Sequence, residues 1–333
     1  MSVNYRTFVV ANPHAAAGAV KEEWTLIERL LRTKIPEFDH AFTEGPGHAT
    51  LLAREALRAG WEMVVAIGGD GTLNEVVNGF FEKPDPRLCY TLDEEGWLQR
   101  RENALQPVSE DAVLGLVPFG TGGDFRRSVG FMGGMAETID HLEGREVRPV
   151  DVGQIGYLDP KGALGTRYFI NIASAGLSGL VDSYANGSWK GLGGKASFGV
   201  ATVRAFATYK NLEMEIRFDE TAEIREKVMN IVVANGAYFG GGMWIAPGAE
   251  LDDGQFQVVI MGDLSRIESV GVMRDIYKGT HLAHRKIHRR RARQISARLI
   301  DTSREGLIDL DGETPGKLPA IWNVHPSAIR FKT

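Results

Sequence analysis

The chain has 333 residues, of which 43% are apolar and 24% charged, proportions typical of a globular protein. A net charge of -5 offers no general attraction to nucleic acid, and the single cysteine, Cys89, excludes an internal disulfide framework and a cysteine-rich zinc site. No apolar run approaches the roughly 18 residues of a membrane-spanning helix, and the first residues lack a signal-peptide pattern. We therefore expect a cytoplasmic enzyme of one or two domains.

Residues 1–146 alternate strand and helix patterns. Short apolar runs predict strands at Thr7–Asn12, Met63–Ile67 and Val113–Pro118, with a weaker strand ending at Thr43, and amphipathic helical patterns lie between them. This alternation predicts an α/β domain with a parallel sheet and helices on both of its faces.

The segment Glu82–Asp111 interrupts this alternation. It is charged, contains prolines and has little periodicity, so we interpret it as an insertion into the α/β domain. Two readings stay open, because a connection of this length is either functional or a solvated excursion at the surface.

From about Arg148 the pattern changes to a long succession of strands. Only Gly179–Tyr209 and Ser265–Tyr277 have helical patterns. Many strands with few helices between them predict a β-rich, antiparallel, sandwich-like domain at residues 147–333.

Two glycine-rich turns follow strands of the predicted α/β domain. The first, AIGGDGT, brings Gly68, Gly69 and Gly71 to the carboxyl edge of the sheet, and a helix begins at Asp70 or Thr72. The second, VPFGTGGDFRR, follows the next strand. Helix N-termini and successive backbone N–H groups bind anions, and ligands of open α/β sheets bind at this edge. Two such turns in one domain therefore favour phosphate binding over tight corners of purely structural use.

The sequence contains neither a Walker-type phosphate loop nor a protein-kinase catalytic loop. Instead, NPHAAAG, TEGPGHA, VVAIGGDGTLNEVVNG, GLVPFGTGGDF, APGAELDDGQFQV and LDGE occur in the order found in the diacylglycerol kinase catalytic-domain superfamily. The chain resembles this superfamily over nearly its whole length. Bacterial lipid kinases, sphingosine kinases and ceramide kinases are members, and NAD kinases are distant relatives. The resemblance implies an N-terminal α/β domain that binds ATP, a C-terminal β-rich domain that binds the lipid, and an active cleft between them.

The resemblance also implies catalytic and nucleotide-binding residues. Asp70 matches the aspartate that organises phosphates and magnesium, and Glu313 in LDGE matches the general base, with Asp311 beside it. Taken alone, the Asp-Gly pair in LDGE is also a hairpin-turn signal. The implied nucleotide site consists of Asn12, Thr43, Gly68, Gly69, Asp70, Gly71, Thr72, Asn74 and Thr121.

A magnesium site is implied within AELDDGQ. Asp253 would supply a carboxylate, and Glu250 and Gln255 would bind mainly through backbone carbonyls. Magnesium takes hard oxygen ligands and keeps several waters, so one or two carboxylates suffice.

Gly123 is a departure from the family pattern, which usually has Asn at this position of the second turn. Asn and Gly both tolerate a positive φ. We therefore predict a positive φ at Gly123, with water or a neighbouring side chain in the space of the missing amide.

A basic run, His281–Arg298, contrasts with the acidic chain. It is interpreted as a solvated sheet face or as a contact with an anionic membrane, where each cation contributes about 1 kcal/mol. Nucleic acid is disfavoured because the run has no interleaved aromatic residues.

The function implied by the resemblance is an ATP-dependent, magnesium-dependent lipid kinase that phosphorylates a lipid hydroxyl, such as that of diacylglycerol. Its expected location is cytoplasmic, with peripheral association at the inner face of the membrane, and a homodimer is left open. Two alternatives are a phosphotransferase with a soluble acceptor, as in NAD kinases, and a nucleotide- or lipid-sensing protein without catalysis.

Overall fold

The computed structural model describes residues 5–101, 105–120, 122–187, 194–219 and 222–333. They belong to two compact units. Unit 1 lies within Met1–Lys83, Leu105–Val152 and His325–Thr333, and unit 2 lies within Pro84–Ala104 and Gly153–Val324. The predicted domain boundary between residues 146 and 147 stays a prediction. The C-terminal residues cluster with unit 1, and most of the insertion clusters with unit 2.

The strands are numbered in chain order. They are β1 Thr7–Ala11, β2 Phe38–Phe42, β3 Met63–Gly68, β4 Tyr90–Leu92, β5 Leu98–Arg100, β6 Val113–Pro118, β7 Val147–Leu158, β8 Leu164–Phe169, β9 Ile172–Gly176, β10 Leu212–Phe218, β11 Ala222–Val228, β12 Asn230–Ala234, β13 Phe256–Met261, β14 Ile287–Ala292, β15 Gln294–Leu299, β16 Ile308–Leu310 and β17 Lys317–Lys332. The helices are α1 Ala19–Glu22, α2 Trp24–Lys34, α3 His48–Arg58, α4 Asp70–Gly79, α5 Pro86–Cys89, α6 Asp124–Ser128, α7 Met135–Asp140, α8 Leu177–Gly187, α9 Gly194–Thr208 and α10 Arg266–Ile276.

Unit 1 contains a parallel sheet in the order β17, β6, β3, β1, β2. Val9 of β1 lies opposite Val65 of β3, and both are fully buried. They pack in one core with Val20, Ile27 and Leu31 of α1 and α2. Each buried aliphatic side chain of this kind contributes about 1.5–3 kcal/mol of transfer free energy. The predicted parallel α/β domain is confirmed.

Unit 2 contains two antiparallel sheets. One has the order β11, β10, β15, β17, and the other has the order β14, β13, β12, β9, β16. Their inner faces share a core in which Phe169 stacks on Phe256 with 5.5 Å between ring centroids. The predicted antiparallel sandwich is confirmed.

The other face of the second sheet is covered by helices. Val232 and Val259 of the sheet pack with Val181 of α8 and Val272 of α10. The two predicted helical segments therefore form α8, α9 and α10. Ser265 begins α10 with a reciprocal capping box to Glu268, which satisfies two otherwise unpaired backbone donors.

The insertion folds as α5 and the β4–β5 hairpin. Trp97 and Tyr90 are each 1% exposed, and Arg217 and Arg298 lie over the Trp97 ring at 3.9 and 4.7 Å from its centroid. The reading as a wholly solvated excursion is wrong for this hairpin. A function for the insertion stays a prediction.

Candidate functional site

The two glycine turns of unit 1 touch each other. β3 and β6 are adjacent and parallel, with Gly68 opposite Pro118, and Phe119 donates its backbone N–H to the Gly68 carbonyl at 2.7 Å. A β-carbon on Gly120 would lie 3.0 Å from the Gly69 Cα. A side chain at this contact would push the turns apart, so glycine sets their spacing.

A hydrogen-bonded bridge connects the first turn with the end of β1. Asn12 Nδ2 donates to Thr72 Oγ1 at 3.0 Å, and Asn12 Oδ1 accepts the His14 backbone N–H at 3.0 Å. A β-carbon on Gly68 would lie 2.5 Å from Thr72 Oγ1, so only glycine permits this position of Thr72. The structure thus brings together three of the predicted nucleotide-site residues.

The N-terminus of α4 lies directly after these contacts. Gly69 is its N-cap residue, and Gly71 in its first turn is exposed; a β-carbon on Gly71 would have no atom of the described residues within 4 Å. The first backbone N–H groups of a helix lack partners inside the helix, and the helix dipole favours negative charge there. This arrangement suits a phosphate group.

Asp70 is bonded to the second turn. Its Oδ2 accepts the Asp124 N–H at 3.0 Å, and its Oδ1 accepts the Phe125 N–H at 3.1 Å. Both bonds are charge-assisted and hold the first turn of α6. A carboxylate has about four acceptor sites, and bonds from the described residues occupy two of them.

Gly123 precedes α6 in the left-handed conformation, with φ 58° and ψ 44°. A β-carbon there would lie 2.8 Å from Arg126 Cδ. The predicted positive φ is confirmed, and a neighbouring side chain, Arg126, fills the space beside the glycine.

The remaining predicted nucleotide residues are more dispersed. Thr43 is buried just after β2 and donates its N–H to the Ala11 carbonyl at 2.9 Å. Asn74 is buried within α4, where its Oδ1 accepts a hydrogen bond from Asn78 at 2.9 Å. Thr121 lies outside the described residues. The nucleotide-binding roles of all these residues stay predictions.

In unit 2, LDGE forms a tight turn at the end of β16. Asp311 and Gly312 have φ values of 47° and 87°, and the backbones of Leu310 and Glu313 exchange hydrogen bonds of 2.8 and 3.0 Å. The hairpin reading of Asp-Gly is therefore structurally correct, and it leaves the catalytic reading open. Asp311 Oδ1 accepts the Ile172 N–H at 3.0 Å.

Glu313 forms an ion pair with Arg167 through its Oε2 atom, and its side chain is 46% exposed. Sequence reasoning did not identify Arg167, because nothing in β8 distinguishes it from a solvated cation.

Sequence reasoning also missed two buried carboxyl groups behind this turn. They are Asp309 of β16 and Asp182 of α8, whose residues are 6% and 7% exposed. Burial, reinforced by the charge of Asp309, raises the pKa of Asp182 to about 10. Burial also raises the pKa of Asp309.

The loop predicted to bind magnesium, AELDDGQ at residues 249–255, is here called the metal loop. It surrounds the guanidinium group of Arg291. Arg291 donates to Asp253 Oδ2 at 3.0 Å, to Glu250 Oε1 at 3.0 Å and to the Gly248 carbonyl at 3.2 Å. Asp253 Oδ1 accepts the Gln255 N–H at 2.9 Å. Among the described residues no group of three or more His, Cys, Asp or Glu side chains suits a metal ion. The oxygen donors still fit a hard cation, which would have to displace Arg291.

The basic run does not act as one surface. His288, Arg289, Arg290 and Arg291 of edge strand β14 are exposed, but Arg291 is engaged by the metal loop and Arg290 lies over the Phe218 ring. Exposed cations on an edge strand also oppose pairing with other chains.

No helix in the described ranges has the length and apolar character needed to cross a bilayer.

Two family models match the chain in succession. The diacylglycerol kinase catalytic domain matches residues 6–155, and the YegS C-terminal NAD kinase beta sandwich-like domain matches residues 171–333.

Individual proteins agree with these matches. A diacylglycerol kinase of Staphylococcus saprophyticus is 27% identical over 316 residues, which is 94% of this chain and 90% of that protein. One of Staphylococcus epidermidis is 28% identical over 279 residues, covering 84% of this chain and 76% of that protein. The crystal structure of a diacylglycerol kinase from Bacillus anthracis matches the fold with a TM-score of 0.66 at 18% identity, covering 100% of this chain and 98% of that chain. The two successive matches, together with these relatives, show that the chain belongs to the diacylglycerol kinase catalytic-domain superfamily.

Proposed function

We propose that this protein is an ATP-dependent lipid kinase that transfers the γ-phosphoryl group of MgATP to the hydroxyl of diacylglycerol or a related lipid. The observation that carries the proposal is the contact of the two glycine turns, bridged by Asp70, in a chain whose relatives are named diacylglycerol kinases. Phosphoryl transfer depends mainly on positioning and charge neutralisation, for which rigid turns rich in N–H donors are suited.

In this proposal the nucleotide phosphates bind at the N-terminus of α4. Asn12 and Thr72 brace that turn, and Gly71 leaves its backbone accessible. Asp70 uses its remaining acceptor sites to bind the magnesium ion that arrives with ATP. The remaining residues assigned to the nucleotide site are Thr43, Asn74 and Thr121.

Glu313 acts as the general base for the lipid hydroxyl, with Asp311 beside it. The acceptor hydroxyl would approach this carboxylate beside its ion pair with Arg167. The ion pair with Arg167 uses the Oε2 atom of Glu313, and the carboxylate has a second oxygen that can accept the proton.

A second magnesium ion is assigned to the loop that Arg291 now fills. Asp253 would hold it through the carboxylate, and Glu250 and Gln255 through backbone carbonyls. Bound there, the ion would supply a fixed positive charge to the loop.

A soluble acceptor is the second candidate. It is supported by the resemblance of residues 171–333 to an NAD kinase-like β-sandwich. A phosphorylation rate that depends on NAD and not on lipid would favour this candidate.

Peripheral contact with an anionic membrane at the cytoplasmic face is proposed for β14. Arg289 and Arg290 are its exposed arginines outside the metal loop. Vesicles containing anionic lipid should bind the wild-type protein more strongly than a variant in which both are Ser. Arg291 is kept in both proteins to preserve its ion pairs, and equal binding would refute the contact.

The catalytic assignment is tested by incubating the protein with labelled ATP and a lipid panel and identifying the product by mass spectrometry. Glu313→Gln and Asp70→Asn should each lower turnover at least a hundredfold. Asp39→Asn, an exposed change on β2, is the matched control and should retain turnover. Full activity in both site variants would overturn the assignment.

A further inference from the structure

Strand β2 is an edge of the parallel sheet in unit 1. It pairs with β1, and no other strand in the described ranges pairs with it. Thr43, directly after β2, donates its N–H to the Ala11 carbonyl of β1 at 2.9 Å. Backbone groups alternate between the two sides of a strand, so Phe38, His40 and Phe42 direct their N–H and C=O groups away from β1. These three residues form the open edge of the sheet.

The same residues carry a row of aromatic rings that is exposed at His40 and Phe42. The Phe42 residue is 36% exposed. Trp24 of α2 contacts both rings, with centroid distances of 4.6 Å to His40 and 4.9 Å to Phe42, and Phe38 lies 6.4 Å from His40. Because these rings already hold one another in place, a partner that contacts them would lose little side-chain entropy.

The other edge strands have features that oppose pairing with another chain. β14 carries the exposed arginines described above, β11 exposes Glu223, Arg225 and Lys227, and β8 contains Arg167. The strands β4, β5 and β16 have only three residues each. In contrast β2, with the sequence FDHAF, contains no Pro, Lys or Arg. Edge strands without such protection are templates for an additional strand.

The sequence of β2 complements itself in an antiparallel pair. When His40 lies opposite His40 of a second copy, Phe38 lies opposite Phe42, and Asp39 lies opposite Ala41. The residues at the open edge then form three hydrogen-bonded pairs, and the two Phe–Phe pairs add cross-strand aromatic contacts. A shift by one residue would place open-edge backbone groups opposite groups that face β1. A two-fold axis through His40 therefore satisfies both the backbone and the side chains.

We infer that β2 is a homodimer interface, in which two copies of this chain pair β2 with β2 in the antiparallel register centred on His40. The self-complementary register selects a second copy over an unrelated peptide, because the reciprocal Phe38–Phe42 pairs arise only when both strands have this sequence. The inference concerns assembly and does not depend on the proposed function.

Sedimentation equilibrium between about 1 and 100 µM tests the assembly. The wild type should have twice the 36.5 kDa mass of the chain. His40→Pro removes an open-edge donor and leaves the hydrogen bonds to β1 in place, so it should be monomeric. Phe42→Lys adds a cation to the edge and should raise the dimer dissociation constant at least about tenfold. Ile267→Lys, at an 87% exposed residue of α10, is the control and should leave the dimer intact.

Cysteine cross-linking tests the register. Opposite Cα atoms of a hydrogen-bonded antiparallel pair lie about 5.5 Å apart, which is within the range of a disulfide. His40→Cys should therefore cross-link two chains under mild oxidation. Asp39→Cys is the matched control and should not cross-link, because it lies opposite Ala41 of the second copy. The native Cys89 is 1% exposed and should contribute no background.

Three results would overturn the inference. A wild type that stays monomeric up to about 100 µM would exclude the dimer. A dimer that survives Phe42→Lys and a folded His40→Pro would place the interface elsewhere, and stronger cross-linking of Asp39→Cys than of His40→Cys would contradict the register. The Tm of each variant shows whether it is folded; if His40→Pro does not fold, Phe42→Lys and His40→Cys decide.

Discussion

Restoring the family residue at position 123 should destabilise this protein. Gly123 has a φ that Asn tolerates, so the backbone alone would permit Gly123→Asn at little cost. The obstacle is Arg126, whose Cδ and Cγ lie 2.8 and 3.2 Å from the new β-carbon. The Arg126 side chain must therefore move.

The hydrogen bonds of the Arg126 guanidinium determine how much stability Gly123→Asn should cost. It donates to the carbonyls of Phe131 at 3.0 Å and of Met132 and Gly133 at 3.3 Å each. Losing two of these bonds, worth about 0.5–1.5 kcal/mol each, gives a loss of about 1–3 kcal/mol. At about 2 °C per kcal/mol for a chain of this size, Tm should fall by about 2–6 °C.

A double-mutant cycle by thermal and guanidinium unfolding provides the assay. In an Arg126→Ala background the obstacle is gone, so Gly123→Asn should cost at least about 1 kcal/mol less than in the wild type. Gly123→Ala is the companion variant and should cost as much as Asn or more, because Ala tolerates this φ less well. Equal costs of the Asn change in both backgrounds would show that Arg126 is not the reason.

Three further predictions concern other parts of the chain. Trp97→Ala should lower stability by about 3–5 kcal/mol, seen as a lower Tm and faster proteolysis of the β4–β5 hairpin, because the ring is fully buried. The pKa of Glu268 is lowered to about 2, mainly by its hydrogen bond with Lys286 and next by its hydrogen bond with the Ser265 backbone. The stability that ionised Glu268 adds is present above about pH 4.5 and is lost as the pH falls towards 2. The difference in Tm between the wild type and Glu268→Gln should therefore shrink on acidification, and a constant difference would contradict this. Arg291→Met removes a cation that competes for the loop oxygens, so half-maximal stabilisation by Mg²⁺ should need about tenfold less metal, and an unchanged Mg²⁺ titration would oppose the assignment of that loop.

The order and type of the elements followed from the sequence because local patterns determine them. Apolar runs of five or six residues became β1, β3 and β6 within one or two residues of their predicted bounds. The φ of Gly123 was also predictable, since Gly and Asn share tolerance of one backbone region.

Long-range pairing of charges was not predictable. Arg167 and Glu313 are 146 positions apart, and Ser174 and Asp309 are 135 apart, so no local period connects them. For the same reason it was misleading to treat the basic run as one surface. Its residues look alike in sequence, but Arg291 is directed to a loop 38 positions away.

The second glycine turn of unit 1 and the LDGE turn of unit 2 are each held by a carboxylate that accepts hydrogen bonds from backbone N–H groups. Asp70 holds the start of α6, and Asp309 and Asp311 hold the LDGE turn and its neighbour β9. A loss of activity after replacing Asp70 would therefore mix a lost contact to magnesium with a displaced second turn. Asn keeps an acceptor oxygen but not the charge, whereas Ala removes both. If Asp70→Asn loses turnover with its Tm intact while Asp70→Ala loses both, the charge acts on the ligand; if Tm and turnover fall together in both variants, Asp70 acts mainly by holding the turn.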